Sequence, residues 1–219
     1  RLADNSGVIV QVGHIERLNP ALLALDSYTL KPKYIEVQRL APYTTRGTEV
    51  PVVLDLMIHD IDIVLALVKS QVDTIHASGL SIMTDSVDIA NARIQFVDGT
   101  IANITSSRIA KDKVRKLKAF QSEMYVTIDF LLGLTEVYRI VKNKGPKALA
   151  AVPLNENEEN KQIIYEKPPV NSFDPLRMEL SNFIDSIKGK TKPIVSGSDG
   201  REALKVAIQI HEMIIKDLH

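Results

Sequence analysis

The chain has 219 residues, 45% of them hydrophobic and 25% charged, which is ordinary globular usage and enough for one large domain or two modest ones. Lys plus Arg and Asp plus Glu each number 27, so no basic excess would draw the chain to nucleic acid. The absence of cysteine excludes a disulfide framework, thiolate metal sites and a cysteine nucleophile, and fits a cytoplasmic setting.

Arg1 to Val12 lacks the basic and long apolar regions of a signal peptide, and no apolar run reaches the ~18 residues of a membrane span. The polar start leads at once into Val8-Ile9-Val10-Gln11-Val12, which reads as a chain entered in mid-domain. Val8 to Gly13 is short, β-branched and closed by glycine, which predicts a buried strand of the parallel type with a ligand-facing loop after it. That loop carries His14, Glu16, Arg17 and Asn19. Asn19-Pro20 supplies an N-cap and a first helical proline for a short helix with Leu22, Leu23, Leu25 and Leu30.

Tyr34 to Leu40 predicts a strand, Ala41 to Pro51 a loop, and Val52 to Val68 a helix whose apolar positions recur at helical spacing. From Val72 the period changes to two. Strands are predicted at 74–84, 87–97, 100–107, 114–120, 125–130, 136–141 and 162–166, with Asp98-Gly99 as a hairpin turn. Leu154 to Lys161 reads as an acidic surface excursion. Asp174-Pro175 opens a helix to about Ile187, and Ser198 or Asp199 caps a last one from about Gly200 to Leu218. The predicted fold is α+β, a large, mainly antiparallel open sheet with helices on one face.

Polar groups interrupt the central helix. Asp55, His59 and Asp62 are four and three residues apart and share one face. An imidazole can exchange a proton near neutral pH, and a carboxylate one turn away can orient it. Three readings stay open on spacing alone: acid–base catalysis; a divalent metal held by Asp55, His59 and Asp62; or solvated Asp60 and Asp62 beside a hydrogen-bonded interfacial His59.

The order of the motifs carries more. Val12-Gly13-His14-Ile15-Glu16-Arg17-Leu18-Asn19-Pro20, then Asp55, His59 and Asp62, then a strand-rich region, then Gly197-Ser198-Asp199-Gly200-Arg201-Glu202-Ala203-Leu204, resembles the Gfo/Idh/MocA family of oxidoreductases over nearly the whole chain. The resemblance implies that a Rossmann domain binds NAD or NADP and that its last strand leads through a segment like Val8 to Pro20 into the sheet domain. A sugar or nucleotide-sugar binds between the two. It implies that His59 is the general base, that Asp55 shapes the site, and that Asp62 supports it on the substrate side.

By the same resemblance Arg17 and Asn19 are candidate substrate contacts and His14 borders the cofactor. The alternative is that Arg17 pairs with a carboxylate and Asn19 only caps its helix. Arg108, at a strand end, could approach the cleft. No metal is implied. The family's glycine-rich turn and upstream Glu-Lys-Pro segment are not found before Val8, and Glu166-Lys167-Pro168 lies too far downstream to stand in for the latter. Residues 1–20 therefore read as the end of a Rossmann domain and 21–219 as the substrate-binding and oligomerisation domain. The chain alone is not expected to bind NAD(P) in the usual way.

The basic stretch Lys111, Lys113, Arg115, Lys116 and Lys118 suits either a diphosphate or a solvated strand. Thr45-Arg46-Gly47 with the segment Val53 to Asp60 looks most like the UDP-N-acetylglucosamine 3-dehydrogenase-like branch, which acts on nucleotide-linked amino sugars. A homo-oligomer through the open sheet face is expected, with Val87, Ile89, Ile94, Phe96, Ile101 and Ile104 as available apolar residues. His76, His211 and His219 have no partner pattern. Two rivals remain: a non-catalytic ligand-binding or assembly domain, and a metal-dependent hydrolase or isomerase built on Asp55, His59 and Asp62.

Overall fold

A computed structural model describes residues 2–45, 47, 49–142, 150–153 and 161–218. Arg1, Arg46 of the Thr45-Arg46-Gly47 motif, residues 154–160 of the acidic excursion and His219 lie outside the described residues. The strands are β1 (Tyr34–Leu40), β2 (Val72–Leu80), β3 (Ile89–Phe96), β4 (Ile101–Ser107), β5 (Val114–Gln121), β6 (Met124–Asp129), β7 (Leu134–Lys142), β8 (Ala150–Pro153) and β9 (Lys161–Glu166). The helices are α1 (Leu2–Ser6), α2 (Pro20–Leu23), α3 (Ile58–Val68), α4 (Pro175–Ile187) and α5 (Gly197–Leu218). A 3-10 turn at Ile15–Leu18 precedes α2, and a π turn at Val53–Met57 leads into α3.

The nine strands form one sheet in the order β2-β3-β4-β1-β5-β6-β7-β9-β8. Strand β1 runs parallel to β4 and antiparallel to β5, so it is inserted between strands that follow it in sequence. The other described pairs are antiparallel. Gly99, at φ 82°, turns the chain from β3 to β4 as its Asp-Gly dipeptide predicts. Helices α3 and α5 cover the β2-β3-β4-β1 part of one face, and α2 packs on β6 and β7.

Period-two burial sorts the two faces. In β3, Ala90, Ala92, Ile94 and Phe96 point into the core while Asn91, Arg93 and Gln95 are exposed. Val87 and Ile104 are also buried, so of the six apolar residues named for the open face only Ile89 and Ile101 are left partly accessible. The open face carries a ladder of rings instead. Tyr34, Phe120, Tyr125, Tyr138 and Tyr165 are register partners across β1-β5-β6-β7-β9, with successive centroids 5.8, 4.6, 5.6 and 4.8 Å apart. Lys116 and Lys118 of the basic stretch stand on this face and are solvated, Lys116 pairing with Asp129 at 3.4 Å and Lys118 with Glu36 at 3.7 Å, while Arg115 turns inward.

Three local expectations change. Val8 to Gly13 is not a buried strand: Val8, Ile9 and Val10 are exposed, and Gln11 makes an isolated bridge to Ser196. A buried parallel strand needs flanking strands, and this segment meets no described strand, touching instead the stretch before α5 through that bridge and the Val12 N–H to the Val195 carbonyl at 3.0 Å. The last helix starts earlier than expected, on a capping box. Ser196 Oγ accepts from the Asp199 N–H at 3.2 Å, and the Asp199 carboxylate accepts from the Ser196 N–H at 2.8 Å. Asp174 caps α4 as read, accepting from the Leu176 N–H at 2.9 Å. The central helix opens on a π turn rather than an α turn.

Gly79 in β2 is where α5 comes closest to the sheet. A Cβ there would stand 2.7 Å from Ile214 Cγ2, 2.9 Å from the Ile89 carbonyl and 2.9 Å from Val87 Cγ1. The carbonyl cannot turn aside without breaking its ladder. Gly79→Ala is expected to cost about 1–3 kcal/mol of stability in urea unfolding, and an unchanged midpoint would show that α5 lifts freely.

Candidate functional site

The site is built where three pieces of chain meet: the loop before the central helix, the helix itself, and the turn at His14 to Asn19. Pro51 opens the helix, accepting from the Leu54 and Asp55 N–H groups at 2.9 and 3.0 Å. The Ile58 N–H then reaches back to the Val53 carbonyl, the i→i−5 bond of a π turn, a feature frequent at functional sites. Asp55 lies exposed within that turn, and His59 is half-buried at the start of α3. The Asp55 carboxylate borders Gly47, whose φ of 78° needs glycine. Arg108 is buried and donates to the carbonyls of Gly47, at 3.1 Å, and Val50, so it pins the loop beside Asp55.

On the inner side, the His14 and His59 rings meet edge to face with centroids 5.5 Å apart. His14 Nδ1 stands 3.1 Å from Asp62 Oδ1 without aligned hydrogen-bond geometry, and His59 Nδ1 is buried with no hydrogen-bond partner among the described residues. Asp62 is buried, and Arg17 grips both its oxygens at 2.7 and 2.9 Å. Arg17 thus has the carboxylate partner named as its alternative. Asn19 accepts from the Ala21 N–H at 3.0 Å and so caps α2. The rival metal reading finds no support in Asp55, His59 and Asp62: Asp62 is committed to Arg17, and no group of three candidate ligands lies together among the described residues.

Behind these residues lies a charge network that the motif reading missed. Asp60 is not solvated but 1% exposed, and Arg39, 3% exposed, donates to its two oxygens at 2.8 Å each. The same guanidinium donates to Glu16 Oε1 at 3.0 Å, which also accepts from Arg115 at 2.9 Å. The signal was in β1, where Arg39 continues the inward series Ile35, Val37 and so had to be a buried charge with partners.

The electrostatics follow from this packing. Burial pushes the His59 imidazole below its ordinary value of 6.5, and the nearby Arg39 charge and His14 add to the effect against Glu16 and Asp62. Burial would raise Asp62, but His14 and Arg17 outweigh it and hold the carboxyl low. Burial likewise opposes Glu16, and Arg39 and Arg115 hold it low. Burial disfavours the Arg39 cation, yet Asp60 and Glu16 raise its pKa above the ordinary arginine value, so the Arg39–Asp60 pair is ionic. His59 is therefore a neutral proton acceptor at pH 7 with an exposed carboxylate one turn before it. A groove of 1210 Å³ between the end of α3, the start of β2 and α5 borders Arg17 but neither His59 nor Asp55, so the candidate base does not sit in it.

A depressed histidine makes folding sensitive to mild acid. Below its ordinary 6.5 the unfolded chain takes up a proton that native His59 does not, so stability is full above that value and falls until the lower folded pKa is passed. Unfolding free energy is expected to decline as pH falls below 6.5, the ordinary histidine value, and His59→Gln to flatten the slope; an identical slope would place the effect elsewhere. Glu16 and Asp62, held low, add their own loss only as pH falls further, below the ordinary carboxylate range.

Residues 31–127 match the model of the GFO/IDH/MocA C-terminal domain. Over 210 residues the chain is 29% identical to a UDP-N-acetylglucosamine 3-dehydrogenase of Acidithiobacillus ferrooxidans, covering 95% of this chain and 63% of that protein. A solved structure of UDP-N-acetylglucosamine 3-dehydrogenase GnnA from Acidithiobacillus ferrooxidans superimposes with a TM-score of 0.85 at 28% identity, covering 97% of this chain and 64% of the other. An NAD-binding protein from Listeria innocua shares the fold at a TM-score of 0.74 and 17% identity, over 99% of this chain and 68% of that one. The chain thus spans somewhat under two thirds of the first two relatives. The part of the chain from β1 to β6 thus resembles the GFO/IDH/MocA C-terminal domain, and over nearly its whole length the chain is similar in fold to UDP-N-acetylglucosamine 3-dehydrogenase GnnA.

Proposed function

We propose that this chain is the substrate-facing, proton-handling part of an NAD(P)-dependent oxidoreductase that interconverts a hydroxyl and a ketone on a nucleotide-linked sugar. The observation that carries the reading is His59, a half-buried imidazole kept neutral on a helix whose opening turn exposes Asp55. His59 accepts the proton of the substrate hydroxyl as oxidation proceeds and returns it in reduction. Asp55, on the exposed π turn, orients the sugar, and the Arg17–Asp62 pair steadies the floor beneath. Arg108 acts on the substrate through the loop it pins. The names of the relatives support a nucleotide-linked amino sugar as the substrate class.

The described residues fit a dinucleotide poorly. Helices α2, α4 and α5 begin on their own caps, Asn19, Asp174 and Ser196 with Asp199, and the last two starts bear carboxylates that would repel a pyrophosphate. In this reading residues 1–20 end a cofactor-binding domain, 21–219 form the substrate domain, and His14 borders the cofactor. The hydride is carried by NAD or NADP when it is bound. The exposed Val8, Ile9 and Val10 support the division, because a β-branched run of this kind suits a strand among neighbours. No described helix is long and apolar enough to cross a membrane.

In the enzyme that includes the cofactor domain, His59→Ala is expected to lower kcat by about two to four orders of magnitude with cofactor affinity retained, and Asp55→Asn to impair turnover as well. Near wild-type turnover of the His59 variant would make the imidazole structural. The ring ladder supports a second part of the reading, self-association through the open face. Five half-buried rings in a row are poor partners for water and good ones for another apolar face. Sedimentation should show an oligomer that Tyr125→Glu dissociates, and a monomer at high concentration would count against it.

A further inference from the structure

Two buried acids on α3, Asp60 and Asp62, grip the turn that carries His14. Asp62 holds it directly, through Arg17 and beside His14. Asp60 holds it through Arg39, whose guanidinium spans from Asp60 on α3 to Glu16 in the turn. Arg39 is thus a cross-link of β1, α3 and the 3-10 turn, with Arg115 of β5 closing the network on Glu16. The network is neutral, two guanidiniums against two carboxylates, and Arg39, Asp60 and Glu16 are all buried. Neither Arg39 nor Asp60 has a place in the proton transfer itself.

We propose that Arg39 is a positioning residue for His59: by bridging Asp60 and Glu16 it fixes the two imidazoles against each other and keeps the carboxylates beneath them neutralised. The inference rests on His59 as the base of the proposed reaction, but its geometry does not. The charged or titratable groups around the His59 ring are Arg39 from β1, His14 and Glu16 from the turn, and Asp55 and Asp62 from its own helical segment. Strand β4 and helix α5, which pack on the same helix, bury only uncharged residues there, among them Ile104, Ser106, Ala203 and Ala207. Arg39 is the cation in that shell, so its loss and the loss of Glu16 must act on His59 with opposite signs.

NMR titration of the His59 ring in this chain tests the proposal without an assay of turnover. Arg39→Gln should raise the His59 pKa by about one unit, since it removes a cation, strips Asp60 of its partner and leaves Glu16 to Arg115 alone. Glu16→Gln should lower it. Arg39→Lys should keep the value near wild type while weakening the His14–His59 ring contact, because an ammonium cannot reproduce the two-pronged grip on Asp60. A merely structural role predicts shifts of one sign or none. If Arg39→Gln does not fold, the Glu16→Gln and Arg39→Lys measurements decide. No downward shift in Glu16→Gln, or an undisturbed ring contact in Arg39→Lys, would overturn the proposal. Opposite-signed shifts in a chain whose full enzyme shows no dehydrogenase activity would leave the positioning intact and remove the reaction from it.

Discussion

The burial of one guanidinium at the helix–sheet interface constrains everything around it. An ionised group taken out of water loses several kcal/mol of hydration and recovers it only when partners stand at hydrogen-bond distance on all sides. Arg39 sits at an inward position of the central strand β1, so the chain must deliver Asp60 from α3 and Glu16 from the turn to the same point. An apolar contact would tolerate a slide of an ångström or rotation of the helix. Two parallel N–H···O bonds do not. The pair adds little to net stability, since well-packed apolar residues often do as well, but removal of one partner would cost about 3–5 kcal/mol. Its effect is to fix register between pieces of chain that are distant in sequence.

That fixed register lets the exposed side of the helix be irregular. The π turn at Val53–Met57 breaks the regular ladder where Asp55 must reach outward, and the loop before it is held from below by Arg108. One turn later the helix is regular and buried, and its residues Asp60 and Asp62 point into the network. His59 lies at the boundary. It is buried enough for its neutral form to be favoured, and still partly open to the surface. The helix thus passes from an exposed π turn to a buried, hydrogen-bonded interior over about two turns, an arrangement that would suit an accessible unprotonated base.

Much of this could be read from the residues. The change of period at Val72 marked the sheet, Asp98-Gly99 its hairpin, and Asn19-Pro20 and Asp174-Pro175 two helix starts, because each signal is local. What escaped the reading depends on distant chain. The parallel pairing of β1 with β4 places an early strand among later ones, and no periodicity within Tyr34–Leu40 encodes that choice. Val8 to Gly13 has the composition of a buried strand, but burial is conferred by neighbours, and none of the described strands lies beside it. Ser196 was passed over as a cap in favour of Ser198 and Asp199 because all three carry the right chemistry within four positions. Spacing named candidate side chains for the site, but not the partners that each would take. Spacing put Asp55, His59 and Asp62 on one face, and only packing shows Asp62 spent on Arg17 while Asp60, read as solvated, is the more deeply held acid.

The two faces of the sheet put these facts to different uses. The inner face is closed by aliphatic residues and Arg39, and it sets the position of α3. The outer face ends at Tyr34 and Phe120 of the same central strands and continues as a stack of rings to Tyr165, where Lys167 lies 5.7 Å from the ring centre. Adjacent rings in such a stack each contribute about 0.5–1.5 kcal/mol beyond their buried area, which stiffens β1 and β5 from behind. Arg39 and Arg115 are register partners on those two strands, facing inward, while Gln38 and Lys116 face outward one position along. A surface that braces β1 against β5 therefore also holds the two guanidiniums at the separation at which both reach Glu16.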